Sequence, residues 1–284
     1  MIVVTGSSGK LGRLVLDALL EHTPAERVVA VARNPDKLSD MARRGVVVRQ
    51  GNYDEPASLA TAFQGAQRLL LISASEVGKR VPQHTAAIEA AKRARVSQLA
   101  YTSIAHCDSN RMKLAAEHAA TEALIRASEL PFTLLRNSWY IENYTDNLAP
   151  ALAHGTFLGS AGDGRISAAT RADYARAAAT VLTQPGHENK TYELGGDQSF
   201  TMTELAAAVS EWAGRSIGYT NLPEAAFAQA LTAAGLPGPY AEILADCDVG
   251  ITRGELEVKS GDLHRLIGRD TTSVKSVLQA LPKP

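Results

Sequence analysis

The chain has 284 residues, 45% of them hydrophobic and 21% charged, which suits a large packed core and excludes a disordered chain. Its 29 basic and 30 acidic residues leave a net charge of −1, which argues against nucleic acid or an anionic membrane surface as partner but leaves room for a local phosphate pocket. The densest apolar run, Leu69–Ile72, is far too short to span a bilayer, and no leader-like stretch opens the chain, so the expected location is the cytoplasm.

The first half alternates β-rich runs with helical patterns. Ile2–Thr5 reads as a strand and Leu11–Glu21 as a helix. The strand Arg27–Ala32 precedes the helix Pro35–Arg43, and Val46–Arg49 precedes Pro56–Phe63. The strand Arg68–Ile72 leads to the helix Val81–Ala94, and Gln98–Thr102 to Lys113–Ser128, before a sixth strand at Phe132–Leu135. Strands separated by helices pair in parallel, because a parallel neighbour needs a crossover connection. Little polar alternation along these strands implies helices on both faces. The expected fold is α/β, a Rossmann-type doubly wound parallel sheet.

The second half is less regular. Gly155–Gly164 reads as loop or short strand, Arg171–Thr183 as a helix and Thr191–Leu194 as a short strand. Thr201–Ala213 is a capped helix. Leu222–Ala234 and Tyr240–Asp246 read as helices split by Pro237-Gly238-Pro239, and Thr272–Leu281 as a last helix. Residues 1–150 are therefore expected to form the nucleotide-binding domain, with 171–195 returning to it. The rest of 151–284 is expected to form a smaller, mostly helical lobe that walls a substrate pocket. Cys107 and Cys247 lack any metal-ligand spacing and read as ordinary thiols, so no metal is expected.

Chemistry enters with Thr5-Gly6-Ser7-Ser8-Gly9-Lys10-Leu11-Gly12, placed between the first strand and the first helix. Gly6 suits the tight turn, Gly9 lets backbone approach a pyrophosphate, and Gly12 lets the helix pack close to the sheet. The amides opening the helix then favour phosphate. A phosphate-binding loop of the nucleotide-hydrolase type is excluded, because Leu11 stands where a hydroxyl would hold magnesium and Val4 where its first glycine belongs. The second strand ends in Arg33, where an enzyme using the unphosphorylated coenzyme carries an acid for the ribose 2′-hydroxyl. A guanidinium there suits a 2′-phosphate and points to NADP(H), with Lys37 either a second cation or a solvated residue of the next helix.

Further loops at the strands' carboxyl ends, Ser73-Ala74-Ser75, Thr102-Ser103 and Arg136-Asn137-Ser138-Trp139-Tyr140, are natural places for ribose and nicotinamide contacts. The Tyr-x-x-x-Lys pair that many short-chain dehydrogenases use is absent, since none of the eight tyrosines has a lysine four residues later. Ordinary ketone reduction is thereby disfavoured. A quinone fits better, because it accepts hydride readily and its hydroquinone anion is stable, so positioning suffices, with a proton from water or one tyrosine. The tyrosine candidates are Tyr101 and Tyr140. His84 and His118, on helices, read as packing or capping groups, and the Trp139, Tyr140 and Tyr144 cluster either stacks on a planar ring or packs in the core.

The glycine motif, Arg33-Asn34-Pro35-x-Lys37, Glu117 and Glu122, Leu135-Arg136-Asn137-x-Trp139-Tyr140-x-Glu142-Asn143 and Ala169-Thr170-Arg171-Ala172-Asp173-Tyr174 together resemble the NmrA-like branch of atypical short-chain dehydrogenases over nearly the whole chain. The resemblance implies NADPH-dependent two-electron reduction of a quinone without flavin or metal; apart from it, a monomer or homodimer is expected. It implies that Gly6, Ser7, Ser8, Gly9, Lys10 and Leu11 border the cofactor with Arg33, Ser73, Ala74, Ser75 and Arg171. Asn137, Ser138, Trp139, Tyr140, Ile141 and Glu142 complete that set, with Asn137 and Tyr140 also candidates for catalysis. Asn52 departs from the acid that relatives often place near the adenine.

Two other functions fit the same residues. A non-catalytic sensor would bind NADP(H) and signal redox state to a protein partner, because binding needs no proton donor. A reductase of aromatic alkenes would use Lys113 as its acid.

Overall fold

The computed structural model describes residues 1–284. Its first half runs β1 (Ile2–Val4), α1 (Lys10–Leu20), β2 (Val28–Ala32), α2 (Ser39–Arg43), β3 (Val47–Gln50), α3 (Pro56–Ala62), β4 (Arg68–Leu71), α4 (Arg80–Ala94), β5 (Gln98–Ile104), α5 (Lys113–Ala127) and β6 (Phe132–Asn137). The second half runs α6 (Glu142–Thr145), α7 (Ala149–His154), β7 (Thr156–Gly159), α8 (Arg171–Thr183), β8 (Lys190–Leu194), α9 (Met202–Ala213), β9 (Gly218–Asn221), α10 (Glu224–Ala233), α11 (Gly238–Thr252), α12 (Asp262–Ile267) and α13 (Val274–Ala280). No helix is long and apolar enough to cross a membrane.

Seven strands form one sheet in the order β3-β2-β1-β4-β5-β6-β8, and every pair is parallel. The Rossmann-type α/β reading therefore holds. The sequence Val28-Val29-Ala30-Val31-Ala32 is buried at every position, as a central strand covered on both faces requires. One face carries α1 and α8. Leu11, Val15, Leu16 and Leu19 of α1 recur at helical spacing and meet Ala175, Ala178, Val181 and Leu182 of α8 in a single core. The other face carries α3, α4 and α5 over Val3, Leu69, Leu71, Leu99 and Tyr101.

The chain builds β1, β2 and β3 outward on one side, then crosses back to lay β4 on the other side of β1. The carboxyl ends of β1 and β4 are thus neighbours whose following loops diverge, which opens a crevice at the switch point. The glycine turn after β1 and the Ser73–Ser75 loop after β4 flank that crevice.

The second half departs from several expectations. β7 and β9 pair in parallel as a separate two-stranded sheet. Gly218-Tyr219-Thr220-Asn221 carries too little apolar pattern to announce a strand. Pro237-Gly238-Pro239 does not separate two helices, because Pro237 is the N-cap and Pro239 sits in the first turn of α11, where a missing amide proton costs nothing. α11 consequently runs well beyond the expected Asp246. α12 had no counterpart in the expected elements. The lobe has its own core, in which Cys107 and Cys247 are buried as free thiols beside Met112, Phe200, Leu205 and Ile251.

Candidate functional site

The turn after β1 is made by backbone. Gly6 has φ +61°, a left-handed value that suits glycine, and its carbonyl accepts from the Gly9 amide at 3.0 Å. A Cβ on Gly12 would stand 2.4 Å from the Gly6 oxygen and 2.7 Å from Ser7 Cα, so only glycine lets α1 start this close to the turn. Gly9 is the N-cap of α1 and offers no side chain to cap it, and the first turn holds no acid. The amides of Ser8, Lys10 and Leu11 donate to no group of the protein. Unpaired amides at a helix start beside a Cβ-free turn fit a nucleotide diphosphate.

From this turn a groove runs along the sheet edge, walled by Val31 to Arg33, Gly51 to Tyr53, and Ile72 to Glu76. Arg33 stands at its rim with a side chain 69% exposed, and its guanidinium reaches Glu76 Oε1 at 3.2 Å. Lys10 bridges to Asp146 at 2.6 Å from the opposite bank. Arg171 lies over the Tyr140 ring at 4.8 Å and bonds Asn143 Oδ1 at 2.9 Å and Asp146 at 3.3 Å. Thr5 and Tyr53 brace the groove floor. The Tyr53 hydroxyl lies within hydrogen-bond distance of Thr5 Oγ1 (2.6 Å) and of the Ile72 carbonyl (2.9 Å).

The groove opens into a cavity of about 630 Å³ between the sheet edge and the lobe. Ser73, Ser75, Tyr140 and Arg171 belong to both walls. The sheet side of the cavity is polar, with Arg80, Thr102, Ser103, His118 and Asn137. The lobe side is apolar, with Phe157, Leu158, Phe227, Leu231, Ile243 and Leu244. One carboxyl, Asp248, stands on that apolar side. Burial pushes its pKa up to about 6, partly offset by the Ser160 amide, which donates to Oδ2 at 2.8 Å.

Beneath the cavity floor lies a set of buried polar groups from α4, α5 and β5. The Ala74 amide donates to His84 Nε2 at 2.9 Å, so His84 carries its proton on Nδ1 and donates it to Thr121 Oγ1 at 2.9 Å. Thr121 in turn donates to the Glu117 carbonyl at 2.8 Å. Arg80 Nε donates to the Ala74 carbonyl at 2.5 Å, and the Gly78 amide donates to Glu117 Oε1 at 3.0 Å. These bonds fasten the loop after β4 to the two helices behind it. Burial and then the Arg80 charge push His84 down to about 3 and hold His118 well below the ordinary imidazole range, so both rings are neutral.

The residues expected at the site fall into three groups. Gly6, Ser8, Gly9, Lys10, Leu11, Arg33, Ser73, Ala74, Ser75, Tyr140 and Arg171 line the groove, and Asn137, Ser138 and Trp139 line the cavity. A second group turns away. Ser7 is buried under the turn, with Oγ donating to the Val4 carbonyl at 2.7 Å. Ile141 packs in the lobe core. Glu142 accepts from the Arg171 amide at 2.8 Å and thereby caps α8. Arg136 lies within β6, not in a loop, and is held by Glu122 (2.6 Å), Asp108 (2.7 Å) and Glu193 (3.0 Å). Lys37 is no groove residue either; its carbonyl accepts from Arg13. Tyr101 forms the third case. It is fully buried below the floor rather than on the cavity wall, and its phenol meets His118 Nδ1 at 2.7 Å. His118 is packed, 5% exposed with its ring beside that of Tyr101, and it also lines the cavity. A single histidine among helical residues carries no sign of which face it occupies, so only the fold reveals it.

Residues 6–185 match the model of the NAD(P)H-binding family. The chain is 49% identical over 274 residues to quinone oxidoreductase 2 of Escherichia coli (strain K12), covering 96% of each protein. Its fold superposes on the crystal structure of an NADPH-dependent quinone oxidoreductase from Escherichia coli complexed with NADPH, with TM-score 0.96 and 48% identity over 98% of this chain and 99% of that one. A triphenylmethane reductase of Citrobacter sp. complexed with NADP(H) superposes with TM-score 0.94 at 40% identity, over 99% of this chain and 100% of that one.

Proposed function

The chain belongs to the NAD(P)H-binding family, and from that premise we propose that it is an NADPH-dependent oxidoreductase that reduces quinones. The observation that carries this reading is the shared wall of Ser73, Ser75, Tyr140 and Arg171, where a groove fitted to a nucleotide diphosphate meets a cavity with an aromatic and aliphatic lining. Residues 1–150 with 171–195 would bind the nucleotide, and the rest of 151–284 would close over the substrate.

The amides of Ser8, Lys10 and Leu11 would hold the diphosphate, and Arg33 at the rim would take the 2′-phosphate in place of Glu76. Bound NADPH supplies the hydride. Tyr140, under the Arg171 guanidinium, and the Ser73–Ser75 loop, fastened by His84 and Arg80, would fix the orientation at the mouth of the cavity. The lobe's Phe157, Phe227 and Leu231 would exclude water and seat a planar ring. With no Tyr-x-x-x-Lys pair, these residues do not supply the proton a ketone would need, and water meets that need for a hydroquinone anion.

The experiment is NADPH oxidation followed at its own absorbance, with a set of benzoquinones and naphthoquinones. Turnover well above the protein-free rate is expected, without added flavin or metal. A rate equal to the protein-free rate across the set would overturn the reading.

A further inference from the structure

On the cavity's polar wall, Ser103 directs its hydroxyl at Glu122 Oε1 (2.6 Å) and Ser138 at the Leu256 carbonyl (2.8 Å), so both protons are engaged inside the protein. His118 is different. The Tyr101 phenol, kept protonated by burial, stands 2.7 Å from His118 Nδ1, and Thr121, the other hydroxyl within its reach, gives its own proton to the Glu117 carbonyl. With the phenol donating, Nδ1 accepts and the imidazole proton sits on Nε2. Nε2 makes no hydrogen bond within the protein, and His118, 5% exposed, is one of the residues that line the cavity. A neutral imidazole with a free ring nitrogen is thus set in the same cavity wall as Thr102, Ser103 and Asn137. Arg80, buried nearby with its NH1 lacking a hydrogen bond, adds positive potential to the same wall.

We propose that His118, oriented and held in its Nε2–H tautomer by Tyr101, is a hydrogen-bond donor to the quinone oxygen on which negative charge develops. The inference rests on the quinone-reduction reading. The quinone takes up two electrons and one hydrogen from NADPH, which leaves as NADP⁺, and the resulting hydroquinone monoanion takes its second proton from water. His118 keeps its proton throughout and lends it as a hydrogen bond, a preoriented donor that strengthens as the oxygen becomes an anion. Tyr101 acts through His118 and is a positioning residue.

The first test is ¹⁵N-histidine NMR of the unmodified protein without nucleotide. The expected result is a protonated Nε2 and unprotonated Nδ1 at His118, with the Nε2 signal moving when a hydroquinone is titrated in. A protonated Nδ1, or an Nε2 signal indifferent to hydroquinone, overturns the proposal. The second test compares His118→Leu, His118→Gln and Tyr101→Phe. His118→Leu is expected to lower kcat with benzoquinone roughly tenfold to a hundredfold, the scale of a single lost oxyanion donor, with NADPH affinity unchanged. The amide of His118→Gln, which places an N–H near the Nε2 position, is expected to restore most of that loss. Tyr101→Phe is expected to lose several-fold in kcat and to shift the tautomer signal. Undiminished turnover by His118→Leu beside an active wild type overturns this inference alone. An inactive wild type overturns the quinone reading and this inference with it.

Discussion

The two ends of the cleft are built from different materials. At the nucleotide end the working groups are backbone amides, and the side chains matter chiefly by being absent, as Gly9 and Gly12 show. At the lobe end the working surface is side chains alone, drawn from β7, α10 and α11. A backbone-built site has no slack, because the atoms that would have to give belong to the main chain. A side-chain-built pocket relaxes when one residue shrinks. Mutations at the two ends should therefore differ in both size and kind.

The largest effect is expected at Gly12→Ala. Its new methyl would sit 2.4 Å from the Gly6 oxygen and 2.7 Å from Ser7 Cα, and neither is a flexible side-chain tip. NADPH affinity measured by calorimetry should fall more than about a hundredfold, on the order of 2.7 kcal/mol or more. Near-normal binding would break the contrast at its stronger end. Arg33→Ala comes next. NADPH affinity should drop about tenfold while NADH affinity stays the same, because only the 2′-phosphate loses a partner. Equal losses for both coenzymes would show that Arg33 reads something other than that phosphate.

The lobe should respond more mildly. Leu231→Ala removes part of the apolar wall, and kcat/KM for quinones should fall roughly threefold to tenfold with NADPH affinity unchanged. A parallel loss of nucleotide binding would deny the separation of the two ends. The smallest effect concerns Asp248, whose folded pKa near 6 lies above the ordinary carboxyl value. A raised folded pKa means that the protonated form's stabilising contribution is complete below about pH 4 and is lost as pH rises through about 6. Asp248→Asn keeps an acceptor for the Ser160 amide and removes the charge. Its melting temperature should exceed that of the wild type by a few degrees at pH 8 and match it at pH 4. A gain of equal size at both values would locate the effect in packing instead.

The same difference in materials decides how much of the molecule is legible in its sequence. The first half could be read nearly element by element, because buried parallel strands are continuous apolar runs and the glycine spacing records a backbone requirement directly. Arg33 was legible for a similar reason, since its place at the end of β2 follows from strand order alone. The lobe was not, because β9 has no strand pattern and Pro237-Gly238-Pro239 signals a break as readily as a helix start. Polar side chains near the site were ambiguous for a third reason. Arg136 is turned inward by Glu122, fourteen residues away in sequence. Tyr101 and His118 lie seventeen residues apart and meet only once β5 and α5 have packed.

Hydride transfer requires the two ends to meet at Ser73, Ser75, Tyr140 and Arg171. The direct measurement is magnetisation transfer between bound NADP⁺ and a bound quinone in the ternary complex. Transfer from the quinone protons to the nicotinamide ring protons, with none to the adenine protons, is the predicted result. Transfer to adenine, or none to nicotinamide while both ligands are bound, would contradict the account.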